Sequence, residues 1–142
     1  MGLEEPFFLS CEEAGRACEG ELPGQALEGL VLFNRGAYFE AHEALELAWR
    51  AESGPVRELY RGILQVGVAY YHIQRGNYRG AVKMLQRAKG WLGPFPDRCR
   101  GLDVQALRDD IGHVEELLQR LGPEGIGLFN VELFQPVRFW AA

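Results

Sequence analysis

Residues 33–50 read FNRGAYFEAHEALELAWR, and how this stretch is divided decides the fold. Gly36 follows the run Phe33-Asn34-Arg35, where a glycine suits the left-handed residue that closes a helix, and from Tyr38 there is no breaker until Gly54. Gly36 therefore marks a hinge between two helices. At about 100° per residue, Tyr38, His42, Leu45, Glu46 and Trp49 fall on one face of the second helix, with Phe39 and Glu43 on its flank. A histidine and a carboxylate thus sit among aromatic residues.

The same pattern returns forty residues later. Arg35, Gly36, Tyr38, Ala41, Leu45 and Ala48 recur as Arg75, Gly76, Tyr78, Ala81, Leu85 and Ala88. The spacing A-x-x-x-L-x-x-A after G-x-Y is similar to the second helix of a tetratricopeptide repeat, whose period is about 34 residues. Two copies are too few for an open solenoid, which needs at least about three repeats, so two helical hairpins stacked in a closed bundle are expected. The second copy carries Val82 in place of His42 and Gln86 in place of Glu46, so the polar pair belongs to the first hairpin alone.

Outward from these hairpins, Ser10 and Glu13 form a capping box that predicts a short helix over 10–18. Pro23 can begin the helix that ends at Gly36, with Ala26, Leu27, Leu30, Val31 and Phe33 as its apolar stripe. A central helix from Pro55 to about Arg75 has an apolar stripe of Leu59, Ile63, Val66, Tyr70 and Ile73. Beside it, Gly62, Gln65, Ala69, His72 and Gly76 form a stripe of small and polar residues that admits a close neighbour, taken to be the helix of His42. Asn77 caps the next helix, whose Arg79, Lys83, Gln86, Arg87 and Lys89 make a solvated basic face. Residues 93–101, with Pro94 and Pro96, read as a loop. Asp103 caps a last helix with the stripe Val104, Leu107, Ile111, Val114, Leu118 and Leu121.

Beyond Gly122–Gly127 the tail reads as an extended arm, with Phe129, Val131 and Leu133 alternating and Pro136 barring a helix. The whole is one all-α domain of five to six helices: core about 23–121, short helix 10–18, arm 128–142. Burying a large aromatic contributes roughly 1.5–3 kcal/mol, so Phe129, Phe134, Phe139 and Trp140 must be covered, either by the bundle or by a second copy in a homodimer.

The chemistry concentrates in the motif helix. His42 and Glu46, one turn apart, have the spacing of helix-borne ligands to a divalent cation such as zinc or another first-row ion. The text His42-Glu43-Ala44-Leu45-Glu46 departs from the H-E-x-x-H zinc helix in its last ligand. His72, on the facing helix, is the candidate third ligand, Glu43 a further one, and Tyr38, Trp49 and Gln65 would line the site. Were it catalytic, the cation would lower the pKa of a bound water while Glu43 or Glu46 handled protons. The other reading makes His42 and Glu46 a structural hydrogen-bonded pair within a non-enzymatic interaction module whose partner is a protein or small molecule.

The H-x-x-x-E-x-x-W pattern of His42, Glu46 and Trp49, with Gly62-Ile63-Leu64-Gln65-Val66-Gly67-Val68-Ala69-Tyr70-Tyr71-His72 and Arg75-Gly76-Asn77-Tyr78-Arg79-Gly80-Ala81, resembles the bacterial and archaeal family called domain of unknown function 309. The resemblance covers about residues 30–92. It implies a small all-helical domain without an established activity, and a motif suspected of binding metal through His42 and Glu46, with Trp49 as a packing neighbour.

The chain of 142 residues, 47% hydrophobic and 25% charged, is one domain's worth. A net charge of −5 argues against a general nucleic-acid binder. The longest apolar run, near Ile63–Ile73, falls short of the roughly 20 residues of a membrane span, and acidic Glu4 and Glu5 are unlike the start of a signal peptide, so a cytoplasmic protein is expected. Cys11, Cys18 and Cys99 are scattered and odd in number, which suits reduced thiols better than a disulfide framework, although one pair remains open.

Overall fold

Local signals set the helix boundaries. In the computed structural model, which describes residues 8–140, helix α1 (Cys11–Arg16) opens on the capping box. The Glu13 amide donates to the Ser10 hydroxyl and the Ser10 amide to the Glu13 carboxylate, both at 3.1 Å. Helices α2 (Gly24–Asn34) and α3 (Tyr38–Ala51) meet at Gly36, and α4 (Arg57–Gln74) and α5 (Tyr78–Leu92) meet at Gly76, with φ of +79° and +74°. The two turns close alike. Gly36 N–H donates to the Phe33 carbonyl at 2.9 Å and Ala37 N–H to Leu32 at 3.0 Å; Gly76 N–H donates to Ile73 at 3.0 Å and Asn77 N–H to His72 at 2.8 Å. This paired closure satisfies the last carbonyls and requires a left-handed residue at the glycine.

The forty-residue correspondence continues into the core, since Ala41, Leu45, Ala48, Ala81, Leu85 and Ala88 are all buried. The chain is an all-α bundle in which α3 packs on α2 and α4, and α5 packs on α4 and α6 (Val104–Gly125). The apolar stripe of α4 is buried as expected. Its small-residue stripe corrects the reading in part: a Cβ on Gly62 would fall 2.7 Å from the Leu92 side chain, so at this end the stripe admits α5. Close approach to α3 is made by α2, where a Cβ on Gly29 would lie 2.6 Å from Leu45.

The segment read as a loop holds a small antiparallel hairpin, β1 (Arg98–Cys99) and β2 (Leu102–Asp103). Its two turn residues, Arg100 and Gly101, both have positive φ, the mirror-image turn that matches strand twist. Arg-Gly is not the usual signature of that turn, and strands of two residues show no periodicity. The thiol expectation also fails: Cys18 and Cys99 form a disulfide across 81 residues, leaving Cys11 free and exposed. Chain spacing carries no trace of so distant a pair. At the same seam Arg100 donates from Nε to the Ala17 carbonyl at 2.9 Å, tying the end of α1 to the hairpin.

Asp103 caps α6 by accepting from the Ala106 amide at 2.9 Å. The helix breaks at Gly122 (φ +68°) and resumes for one turn at Pro123. The tail is not a simple arm, because Ile126–Leu128 and Val131–Leu133 are 3-10 turns and Val131 is exposed. The arm then lies on its own bundle. Phe134 stacks on Tyr70 with centroids 4.4 Å apart and on Phe129 at 5.3 Å. The Asn34 amide clamps the backbone of Val137, accepting from its N–H at 2.7 Å and donating to its carbonyl at 2.9 Å. Leu102 bridges Phe139, and Trp140 stays 49% exposed with the Arg98 guanidinium 4.3 Å above its ring. No helix of the described residues is long and apolar enough to cross a membrane.

Candidate functional site

The start of α3 and the end of α4 enclose a pocket of about 210 Å³ lined by Tyr38, Phe39, His42, Val68, Tyr71 and His72. Helical spacing explains the set: Tyr38 and His42 are one turn apart on α3, and Val68, Tyr71 and His72 are spaced i, i+3, i+4 on α4. The structure thus brings His42 and His72 to one pocket from two different helices.

Each wall has its own environment. Tyr38 belongs also to the buried aromatic cluster, 5.2 Å from Phe33, 5.5 Å from Tyr70 and 5.9 Å from Phe134, centroid to centroid. Burial pushes its hydroxyl pKa up to about 12, so it stays a neutral phenol. Burial raises Tyr70 likewise, reinforced by the Asp110 charge. Phe39 is half exposed, with its ring 5.7 Å from that of His42 and 5.8 Å from that of Tyr71. His72 abuts the start of α5, its Nδ1 lying 3.2 Å from the Asn77 side-chain nitrogen. The Asn77 oxygen accepts from the Gly80 amide, so the nitrogen side faces the ring and Nδ1 is the acceptor, which puts the imidazole proton on Nε2. Burial lowers the pKa of His72, favouring this neutral ring.

The remaining expected site residues lie elsewhere. Glu46 sits 3.7 Å from His42 Nε2, but its other oxygen accepts from Arg50 at 2.7 Å, and it lines a separate groove with Glu43, Leu47 and Arg50. Trp49 is covered by the guanidinium groups of Arg57 at 4.3 Å and Arg61 at 4.7 Å, and its Nε1 donates to Glu58 at 3.3 Å. Arg61 lies also 4.3 Å over Trp91, so Trp49 belongs to a cation–π stack joining α3, α4 and α5. The Gln65 oxygen is buried, has no hydrogen-bond partner among the described residues, and is not among those that line the pocket. Among the described residues, no three His, Cys, Asp or Glu side chains are grouped so as to hold a metal ion. Sequence reasoning left Phe39 on the flank of the motif helix and missed Val68 and Tyr71 as wall residues. The signal for the latter two was available in the i, i+3, i+4 spacing that ends on His72.

Residues 26–84, from α2 to the middle of α5, match the family model described as Domain of unknown function (DUF309). Over that segment the chain is similar to this family. All six pocket residues fall inside it. The chain is similar to an uncharacterized protein of Aquifex aeolicus (strain VF5), 26% identical over 92 residues, which is 64% of this chain and 27% of the relative. It is similar also to the uncharacterized protein YpuF of Bacillus subtilis (strain 168), 34% identical over 83 residues, 58% of this chain and 45% of the relative. The chain thus matches less than half the length of either relative. No solved structure matches it.

Proposed function

We propose that the domain binds a small ligand in the α3–α4 pocket, with His42 and His72 supplying its polar contacts. The observation that carries this is the convergence of two histidines from different helices on one aromatic-walled pocket. At about 210 Å³ it is smaller than the roughly 300–1,000 Å³ of sites for drug-sized molecules, so the ligand is compact. Phe39, Tyr71 and Val68 suit a flat apolar body, and the Nε2–H of a neutral His72 suits a hydrogen-bond acceptor. Indole is a fitting probe for the aromatic walls. It is expected to shift the backbone NMR signals of residues 38–42 and 68–72 and to lose at least about tenfold in affinity in His42→Ala. Absence of shifts at millimolar indole would overturn the reading.

A divalent metal ion is the second reading, supported by Glu46 standing 3.7 Å from His42 Nε2 while His72 shares the pocket. As placed, the two imidazoles fall short of the three protein ligands of a catalytic zinc, and Glu46 would have to leave Arg50 to complete the set. Elemental analysis of protein purified without a metal-affinity tag tests it. A stoichiometric first-row metal that disappears in His42→Ala would favour the ion over an organic ligand.

A further inference from the structure

The forty-residue correspondence carries Tyr38, Phe39, His42, Glu43 and Glu46 onto Tyr78, Arg79, Val82, Lys83 and Gln86. Those five residues of α5, joined by Pro123, line a cleft of about 610 Å³, the second copy's counterpart of the His42 face. The His42 face of α3 is walled by the end of α4, through Val68, Tyr71 and His72. Opposite the second copy, α6 breaks at Gly122 and Pro123 forms the far wall, so the corresponding face of α5 is left open.

The chemistry of the two faces is opposite. Tyr78, Val82 and Pro123 give the cleft an apolar side, while Arg79 and Lys83, one turn apart, add two cations, and no acidic residue lines it among the described residues. Like charges at i, i+4 destabilise a helix, and such pairs are ordinarily relieved by a neighbouring carboxylate. Lys89, farther along α5, has that relief from Glu115 at 2.9 Å. Among the described residues neither Arg79 nor Lys83 has an ion-pair partner, although the chain as a whole carries a net charge of −5. A locally positive, half-apolar cleft in an acidic protein selects ligands by charge.

We infer that the α5–α6 cleft is a second binding site, for an organic anion: a carboxylate or phosphate held between Arg79 and Lys83, carried on a flat apolar body that lies against Tyr78, Val82 and Pro123. It is separate from the α3–α4 pocket and stands whether or not that pocket binds indole. Arg79 supplies a planar fork for two oxygens and Lys83 a mobile point charge.

The test is amide chemical-shift mapping by two-dimensional NMR on the full chain, with naphthyl phosphate and naphthoate as the anions and naphthol as the neutral comparison. Either anion should shift residues 78–86 and 122–125. Binding of phosphate or of carboxylate supports the site equally, and the tighter of the two names the headgroup. Naphthol should bind at least about tenfold more weakly, and so should either anion to the double variant Arg79→Glu/Lys83→Glu, whereas His42→Ala should leave anion affinity unchanged. The neutral pair Arg79→Gln/Lys83→Gln, with helix content checked by circular dichroism, replaces the charge reversal if that variant misfolds. Equal affinity for naphthol and the anions, undiminished binding by the folded double variant, or shifts centred on residues 38–42 would overturn the inference.

Discussion

The first hairpin, α2–α3, and the second, α4–α5, use one internal plan and present two different exteriors. Inside, each closes on a left-handed glycine with the same pair of hydrogen bonds and buries the same Ala, Leu, Ala series. Outside, α3 of the first meets the end of α4 in a histidine-lined aromatic pocket, whereas α5 of the second lines a cationic cleft. The inner positions cannot drift without leaving cavities or overpacking, whereas outer positions cost little to change. The repeat is therefore read as architecture, and the departures from it are the surfaces on which the two proposed binding sites rest.

The largest test of the shared plan is to empty equivalent core positions. Leu45 and Leu85 are 1% and 0% exposed, so Leu45→Ala and Leu85→Ala should each destabilise by about 2–5 kcal/mol, and by similar amounts, in urea unfolding. A cost confined to one of them would show that the hairpins are not equivalent inside. The glycine turns give a smaller effect. A Cβ at Gly36 or Gly76 would meet nothing within 4 Å, so Gly36→Ala and Gly76→Ala should cost only the backbone term, about 1 kcal/mol each. Unchanged melting temperatures would mean the turns do not need their left-handed residues.

These turns are also what the sequence displays best, together with the Ser10–Glu13 box and the Asn77 and Asp103 caps, because each is a local event between residues a few positions apart. Three features escaped for the opposite reason. The Cys18–Cys99 bond spans 81 residues. The contact of Gly62 with Leu92 depends on which neighbour packs against α4, which the period of a stripe does not say. Trp49 shares a helical face with His42, yet Arg57 and Arg61 reach over from α4 and cover it, a pairing set by tertiary approach. Within the site, the facing of His42 and His72 could be anticipated from two helices in sequence order. That Glu46 would be held by Arg50, one turn along its own helix, was written in the i, i+4 spacing and overlooked.

The smallest expected effect concerns protons and belongs to the α3–α4 pocket. Burial lowers the folded-state pKa of His72 below its ordinary 6.5, so between these two values the unfolded chain binds more protons. The stability this contributes is fully present above about pH 6.5 and is lost as pH falls through that window. His72→Gln should flatten the slope of unfolding free energy against pH below about 6.5. An unaltered slope would place the titrating group elsewhere.

Adding indole and then naphthyl phosphate to one NMR sample of the full chain tests the contrast between the two exteriors most directly. Two non-overlapping sets of shifts are predicted, residues 38–42 with 68–72 for indole and residues 78–86 for the phosphate, each ligand leaving the other's set unmoved. Both ligands moving the same residues, or neither moving any, would contradict the account.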